Sequence, residues 1–345
     1  MPEYRYDPLT GRMVIVAEGR AARPNQFDIA DQPYRGICPF CEGNESHTPG
    51  EIAAFRRADS EPNTSGWRVR VVPNKYPALL PGDEPPPGAD FVTQEYRLHR
   101  ADGIGLHEVI IDTPRHVLSI AELTPLEVAG MLAMYRLRLQ VLRLDPRWTF
   151  VQIFKNVGAA AGASLPHSHS QLVAIPFLPP SLFQMLSRTE KYTAQHRHCS
   201  WCDHLRNEIQ SGDRIVEVTE HFVVLCPFVS RFSGEIEIYP KSHESSFEQV
   251  DESMLDELAE LFRRTIIRLD EAVFWMKDTL AYNIVLNTEP FRFERQGKIV
   301  DLSSSFHWHF SILPSLARAA GFEWGTGLHI NPISPEQAAE RLRIC

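Results

Sequence analysis

The sequence predicts an α+β protein built twice, from two halves related by internal duplication, here placed at residues 1–185 and 186–345. Three observations carry this. The same features recur in the same order: Cys-x-x-Cys, a strand, a strand ending in Pro and His, a capped helix, a strand ending in Asn, a loop, and His-x-His on a strand. Short apolar runs of strand length alternate with segments of helical period. The chain has 345 residues, 43% hydrophobic and 23% charged, which is enough for two ordinary domains with real cores.

The same totals exclude partners. A net charge of −9 argues against a nucleic-acid surface, which needs a basic stripe. The start, Met1-Pro2-Glu3-Tyr4-Arg5, lacks the apolar core of a signal peptide, and Arg136, Arg138 and Arg143 interrupt the longest apolar helical candidate. A cytoplasmic protein without a membrane partner is expected. In a reducing compartment the two Cys-x-x-Cys pairs read as metal or redox centres. Cys226 lies in an apolar run and reads as packing, and Cys345 is terminal.

The elements follow in order. Met13–Val16 is a short strand after the turn signal Asp7-Pro8-Leu9-Thr10-Gly11. Arg20 and Arg23, beside Gly19 and Pro24, suit a phosphate clamp or are solvated surface arginines. Cys38-Pro39-Phe40-Cys41 is a knuckle whose Pro, with Gly43 just beyond, does not favour a redox motif opening a helix. Strands are expected at 68–72 and 105–112, the second running on to His116. Thr124-Pro125-Leu126-Glu127 is a capping box with Pro at the first helical position. Its helix turns Val128, Met131, Leu132, Tyr135, Leu139 and Leu142 to one face. A strand at 149–154 leads to Lys155 and Asn156, read as the opening of a glycine-rich loop. After Pro179-Pro180 the order restarts: a knuckle at Cys199 and Cys202, strands at 221–227 and 234–239, a helix capped by Asp251, a strand at 282–287, and His307-Trp308-His309.

Two sulfurs need two more ligands for a tetrahedral cation. The repeat offers the same pair in each half, giving Cys38, Cys41, His116 and His167, and Cys199, Cys202, His243 and His307. Both are closed sets suited to structural zinc, with His47, His198 and His204 as competing donors.

The chemistry is expected at Ser164-Leu165-Pro166-His167-Ser168-His169-Ser170-Gln171. On a strand, His167, His169 and Gln171 share one face and the serines the other. The bland reading is two ordinary histidines on a polar strand. The sharp one makes His169 a nucleophile toward the α-phosphorus of a nucleotide sugar, giving ping-pong transfer to a second phosphate. Gln171, Ser164 and the N–H groups of the Gly158–Ser164 loop would then hold phosphate oxygens, with Arg20 and Arg23 offsetting charge. Ser311 replaces the glutamine in the second half and no glycine loop precedes His307, so that half is expected to lack nucleophilic activity.

These residues, with Asn156 and Gly321-Phe322-Glu323-Trp324-Gly325-Thr326-Gly327, resemble the galactose-1-phosphate uridylyltransferases, the transferase branch of the histidine-triad superfamily, over nearly the whole chain. The resemblance implies two histidine-triad-like halves, each a mainly antiparallel sheet with helices, in a homodimer. It implies a nucleotidylated His169, Gln171 as its phosphate-orienting partner, and Asn74 and Asn156 at the nucleotide end. Gly162 and Ser164 belong to the loop, and Glu323 falls at a hexose-contacting position. The commonest motif of the family has Pro and Gly where this chain has Ser168 and Ser170, a form that resembles plant-type ADP-glucose phosphorylases. The sugar-binding Lys expected before Glu323 is absent, with Arg318 the nearest cation. The leading expectation is a UDP-glucose:hexose-1-phosphate uridylyltransferase acting on a nucleotide sugar and a sugar 1-phosphate. The alternatives are an ADP-sugar phosphorylase and a non-catalytic, zinc-structured nucleotide-binding protein.

Overall fold

The structure, a computed structural model, describes residues 1–7, 12–17, 36–82, 99–273, 280–295, 297–317 and 319–345. The first-half strands are β1 (Glu3–Asp7), β2 (Arg12–Val16), β3 (Ala53–Arg56), β4 (Trp67–Pro73), β5 (His99–Asp102), β6 (Leu106–Ile111), β7 (Phe150–Val157) and β8 (His169–Ile175). The rest are β9 (Ile215–Val218), β10 (Phe222–Leu225), β11 (Ile236–Pro240), β12 (Tyr282–Asn287), β13 (Glu294–Arg295), β14 (Lys298–Ile299) and β15 (His309–Pro314). The helices are α1 (Pro125–Arg143), α2 (Pro180–His196), α3 (Ser200–Ser211), α4 (Glu252–Val273), α5 (Gly321–Thr326) and α6 (Pro335–Ile344).

Ten of these strands form one antiparallel sheet in the order β3-β4-β6-β8-β7-β12-β15-β11-β10-β9. Its centre is the pairing of β7 with β12, from Tyr282↔Val157 to Leu286↔Ile153. Outward from that seam the strands correspond one to one: β7, β8, β6, β4, β3 on one side and β12, β15, β11, β10, β9 on the other. The fold is therefore α+β and antiparallel, with matching halves sharing one sheet. The boundary expected at 185/186 falls within α2. A small sheet, β2-β1-β5, and the β13-β14 ribbon stand apart from the main sheet.

Period-2 alternation sorts the side chains between two faces. One face carries Val71, Ile110 and Leu172 from the first half and Ile238, Ile284 and Phe310 from the second, all in one core with α1 and α4. The helix starts are chemically determined. Thr124 accepts from the Glu127 N–H while Glu127 reaches back, with Pro125 in the first turn. Asp251 accepts from the Met254 N–H at 3.1 Å at the start of α4. Arg138 of α1 forms a bidentate pair with Glu108 of β6, at 2.9 and 2.8 Å, both buried. The opposite face carries the Cys-x-x-Cys pairs with smaller apolar clusters around Phe40 and Val109 and around Leu205 and Tyr239. Among the described residues no helix is long and apolar enough to cross a membrane.

Three readings need correction. Lys155 and Asn156 do not open the loop; they lie inside β7, which runs to Val157 because Asn156 and Lys155 pair with β12. His167 and His307 precede β8 and β15 instead of lying within them. The second Cys-x-x-Cys is not a free knuckle, since Cys199 is the N-cap of α3 and Cys202 lies in its first turn.

Candidate active site and metal sites

His169 and Gln171 lie on the face of β8 away from α1, opposite Ile111 and Val109 of β6. Both line a cavity of about 260 Å³ with Phe40, Asn74, Lys75, Tyr76 and Ser164. His169 donates from Nδ1 to the carbonyl of His167 at 2.7 Å, so a neutral ring in this position carries its lone pair on Nε2. Phe40, between the two cysteines of the first pair, packs at 5.1 Å from the His169 ring.

The serines beside these residues point the other way. Ser168 and Ser170 donate to Asp112 at 3.0 and 3.1 Å, and Tyr135 of α1 meets Ser170 at 2.5 Å. The Lys155 ammonium lies 2.5 Å from Asp112, 2.8 Å from Ser168 Oγ and 3.2 Å from the carbonyl of His169. Lys155 and Asp112 are 1% and 0% exposed, so this ion pair is compensated by hydrogen bonds rather than by water. Burial and the nearby Asp112 push the Tyr135 phenol well above its ordinary value, keeping it neutral. The strand segment carrying His169 is thus pinned from behind.

The loop before it is a short 3₁₀ turn. Gly158 has φ +81°, and a Cβ there would stand 2.9 Å from that of Ala281, so only glycine fits. The N–H groups of Ala161, Gly162 and Ala163 bond to the carbonyls of Gly158 and Ala159. These three N–H groups of the loop therefore close the turn, and Ser164 lines the cavity. Gly162, at φ +83°, caps the turn. Asn156 accepts from Asn283 across the β7–β12 seam at 2.8 Å and does not line the cavity, whereas Asn74 does. Glu323 caps its own helix through the Ala320 N–H at 3.0 Å, on an exposed segment outside the cavity wall. Arg20, Arg23 and Arg318 lie outside the described residues.

The two predicted metal sets each converge. The donor atoms of Cys38, Cys41, His116 and His167, and of Cys199, Cys202, His243 and His307, lie within 4.8 Å of one another in each set. Cys38 and Cys41 Sγ stand 3.5 and 3.6 Å from His167 Nδ1, and Cys41 3.4 Å from His116 Nδ1. In the second set Cys202 stands 3.2 and 3.6 Å from the Nδ1 atoms of His243 and His307. A tetrahedron with Zn–S of ~2.3 Å and Zn–N of ~2.05 Å has an S···N edge of about 3.5 Å, so both sets are spaced to hold such a cation. His167, His307 and His243 each donate from Nε2 to a backbone carbonyl, of Thr113, Pro240 and Ser303 at 2.9, 2.9 and 2.7 Å. That leaves Nδ1 as the ligating nitrogen. Burial pushes His167 down to about 4, which suits a neutral ligand. The competing donors are engaged elsewhere: His47 lines the cavity, and His198 and His204 pair with Asp203 and Glu208.

His309 corresponds to His169 in the second half and is covered by aromatic rings. Its ring stacks on Tyr239 at 4.6 Å and lies 5.1 Å from Trp201, and burial pushes it down to about 4. Sequence reasoning passed over this plug, the Asp112–Lys155 pair and His107, whose Nε2 lies 3.0 Å from Gln171 Oε1. A histidine alternating with Val109 and Ile111 on β6 was the available signal, but the pairing of β6 with β8 is not a local property of either strand.

A family model described as "Galactose-1-phosphate uridyl transferase, N-terminal domain" matches residues 1–179, and one described as a domain of unknown function (DUF4921) matches 105–344. The chain is 33% identical to the ADP-glucose phosphorylase of Arabidopsis thaliana over 348 residues, covering 99% of this chain and 92% of that protein. It is 30% identical to the galactose-1-phosphate uridylyltransferase of Thermotoga maritima, covering 99% and 98%. The crystal structure of the Arabidopsis thaliana ADP-glucose phosphorylase with bound ADP-glucose superposes with a TM-score of 0.71 at 32% identity, covering 100% of this chain and 99% of that one.

Proposed function

The chain belongs to the galactose-1-phosphate uridylyltransferase family, and from that premise we propose that it transfers a nucleotidyl group from a nucleotide sugar to a second phosphate through His169. The observation that carries this is the His169 ring: its Nδ1 proton is directed at the His167 carbonyl, at the wall of a cavity it shares with Gln171. Nε2 attacks the α-phosphorus, forming a P–N bond as the P–O bond to the sugar 1-phosphate breaks. The oxygen of an acceptor phosphate then attacks the same phosphorus, breaks the P–N bond and returns the lone pair to Nε2. Gln171 and Ser164 donate to the non-bridging oxygens, where charge is greatest in the transition state. Zinc held by the two Cys2His2 sets would be structural, the first keeping His167, and so the carbonyl that orients His169, in place.

The leading substrates are UDP-glucose and galactose 1-phosphate, as the family relationship suggests. A second reading, adenylyl transfer from an ADP-sugar to phosphate, is favoured by one observation: identity to the Arabidopsis thaliana ADP-glucose phosphorylase exceeds that to the Thermotoga maritima uridylyltransferase, 33% against 30%. We further infer a homodimer in which the exposed segment around Glu323, with Phe322 and Trp324, 52% and 76% exposed, meets a partner and contacts the hexose. The test of the reaction is to incubate the protein with α-³²P-labelled UDP-glucose and, separately, ADP-glucose. One of them should leave base-stable, acid-labile label on the peptide containing His169. Label from neither, or label on another residue, refutes the reading.

A further inference from the structure

We propose that His107 is a positioning residue that sets the orientation of the Gln171 amide, so that its NH₂ group rather than its carbonyl oxygen meets the phosphate; this rests on the nucleotidyl-transfer reading above. His107 is a buried residue of β6, on the same face as Val109, the residue paired with Gln171. The backbone N–H of Ala78 lies 3.0 Å from His107 Nδ1 and can only donate, so Nδ1 is an acceptor. A neutral imidazole whose Nδ1 accepts carries its proton on Nε2. That Nε2 lies 3.0 Å from Gln171 Oε1 and therefore donates to it. The backbone of the 77–78 segment thus selects the tautomer of His107, and the tautomer selects the rotamer of the amide.

Asn74 does not compete with Gln171 for this proton. Its Oδ1 accepts from the Tyr76 N–H at 2.9 Å, which turns its NH₂ toward the same ring nitrogen at 3.0 Å. That approach sets two donors against each other and is not a hydrogen bond; of the two neighbours only the Gln171 oxygen can accept, so the Nε2–H of His107 is directed to it. The consequence is chemical. The two branches of a carboxamide are nearly the same shape but opposite in polarity, and a half-turn about the terminal torsion exchanges a donor for an acceptor. With its oxygen engaged by His107, Gln171 has its NH₂ branch for the cavity it lines. With the opposite rotamer it would present a carbonyl oxygen to an anionic phosphate.

The test is a double-mutant cycle on the single-turnover rate at which the enzyme takes label from whichever donor, UDP-glucose or ADP-glucose, labels the wild type. His107→Phe is expected to slow labelling by roughly ten- to a hundredfold at saturating donor, as when an outer-shell partner of a site ligand is removed, with little change in the donor concentration for half-maximal rate. In a Gln171→Ala background the same change is expected to have no further effect, because the group it orients is gone. A near-isosteric pair gives a second, independent reading: His107→Gln keeps a donor for Oε1 and His107→Glu does not, so the first is expected to label at least about tenfold faster than the second. If His107→Phe slows the Gln171→Ala enzyme as much as it slows the wild type, or if the Gln and Glu variants label alike, the proposal is overturned. A wild type that takes no label from either donor overturns the nucleotidyl-transfer reading, and this proposal with it.

Discussion

The two halves share one plan and differ in what stands on either side of the His-x-His strand. In front, Val109 and Ile111 of β6 face Gln171 and His169. At the corresponding place in the second half, Glu237 of β11 faces Ser311, and Tyr239 stacks on His309 while donating to Glu237 at 2.7 Å. Burial raises Glu237 to about 7, and in this half Tyr239 and Trp201 cover His309 where His169 of the first half stands at a cavity wall. The residue between the cysteines follows the same division: Phe40 stands at the cavity wall, while Trp201 lies over His309. Behind the strand, Ser168 and Ser170 meet Asp112, Lys155 and Tyr135, whereas Trp308 and Phe310 pack edge-to-face with Phe247 and Phe262. What both halves keep is the Cys2His2 set. The Cys2His2 set therefore goes with the architecture common to both halves, and the histidine at the cavity wall with the first half, where the chemistry is proposed.

The largest effect that tests this contrast is at the two second histidines. His169→Gly is expected to lower turnover by about 10⁴ or more, as loss of a nucleophile does, and to leave no acid-labile label. His309→Gly is expected to keep turnover within a few-fold of wild type and to lose stability by ~2–5 kcal/mol from the cavity left between Tyr239 and Trp201. Turnover and urea melts on both variants decide it; equal losses of activity would abolish the division of labour.

Metal content sharpens the comparison next. About two zinc ions per chain are expected, one per closed set. Cys38→Ser and Cys199→Ser should each reduce the content to about one ion and lower the yield of folded protein. In the fraction that folds, Cys38→Ser should slow labelling of His169, because His167 orients it through the 2.7 Å bond. Cys199→Ser should leave the labelling rate unchanged, and elemental analysis beside single-turnover kinetics reads both.

The backs of the two strands come third. Lys155→Met leaves Asp112 buried without its cation and is expected to cost ~3–5 kcal/mol. Phe310→Ala is expected to cost a similar ~3–5 kcal/mol through the cavity it leaves against Phe247 and Phe262. Only the first should also slow labelling of His169, since Lys155 bonds its carbonyl. If both variants lose stability alone, the polar network is structural support with no bearing on the site.

Much of this arrangement was legible in the chain, and the reason is locality. The parity of His169, Gln171 and their serines is a two-residue property of a strand. The metal sets were readable because the repeat supplied each pair of histidines twice. What escaped depends on contacts between distant segments. The β7–β12 seam joins residues 153–157 to 282–286, and nothing in either strand announces that register. Lys155 reads as loop in the sequence because what holds it in β7 is its pairing with Ile284 of β12, a distant segment. Helix α3 was hidden by its Cys-x-x-Cys start, which looks the same as a turn at the level of four residues. Tyr239 was legible as a strand residue, but not as the lid on His309.

The smallest effects lie at the starts of the two long helices and have opposite pH signatures. Glu127 of α1 is partly buried, which works against its charge. Hydrogen bonds from Arg115, Thr113 and Thr124 outweigh that and hold it at about 2, below an ordinary 4.5. A lowered folded value means that this contribution is present above pH 4.5 and is lost as pH falls toward 2. At α4, Glu257 raises His221 above its ordinary 6.5 through a 2.5 Å contact. A raised folded value means that this contribution is full below pH 6.5 and is lost as pH rises through the folded value. Glu127→Gln should therefore cost more stability at about pH 6 than at about pH 3, while His221→Gln should cost more at about pH 6 than at about pH 9. Urea midpoints of each variant against wild type at these pH values measure the difference. Both sites are partly solvated, so the shifts should be small and should shrink further in high salt. A His221→Gln penalty that grows on the alkaline side would mean that the α4 tie is not the ion pair with Glu257.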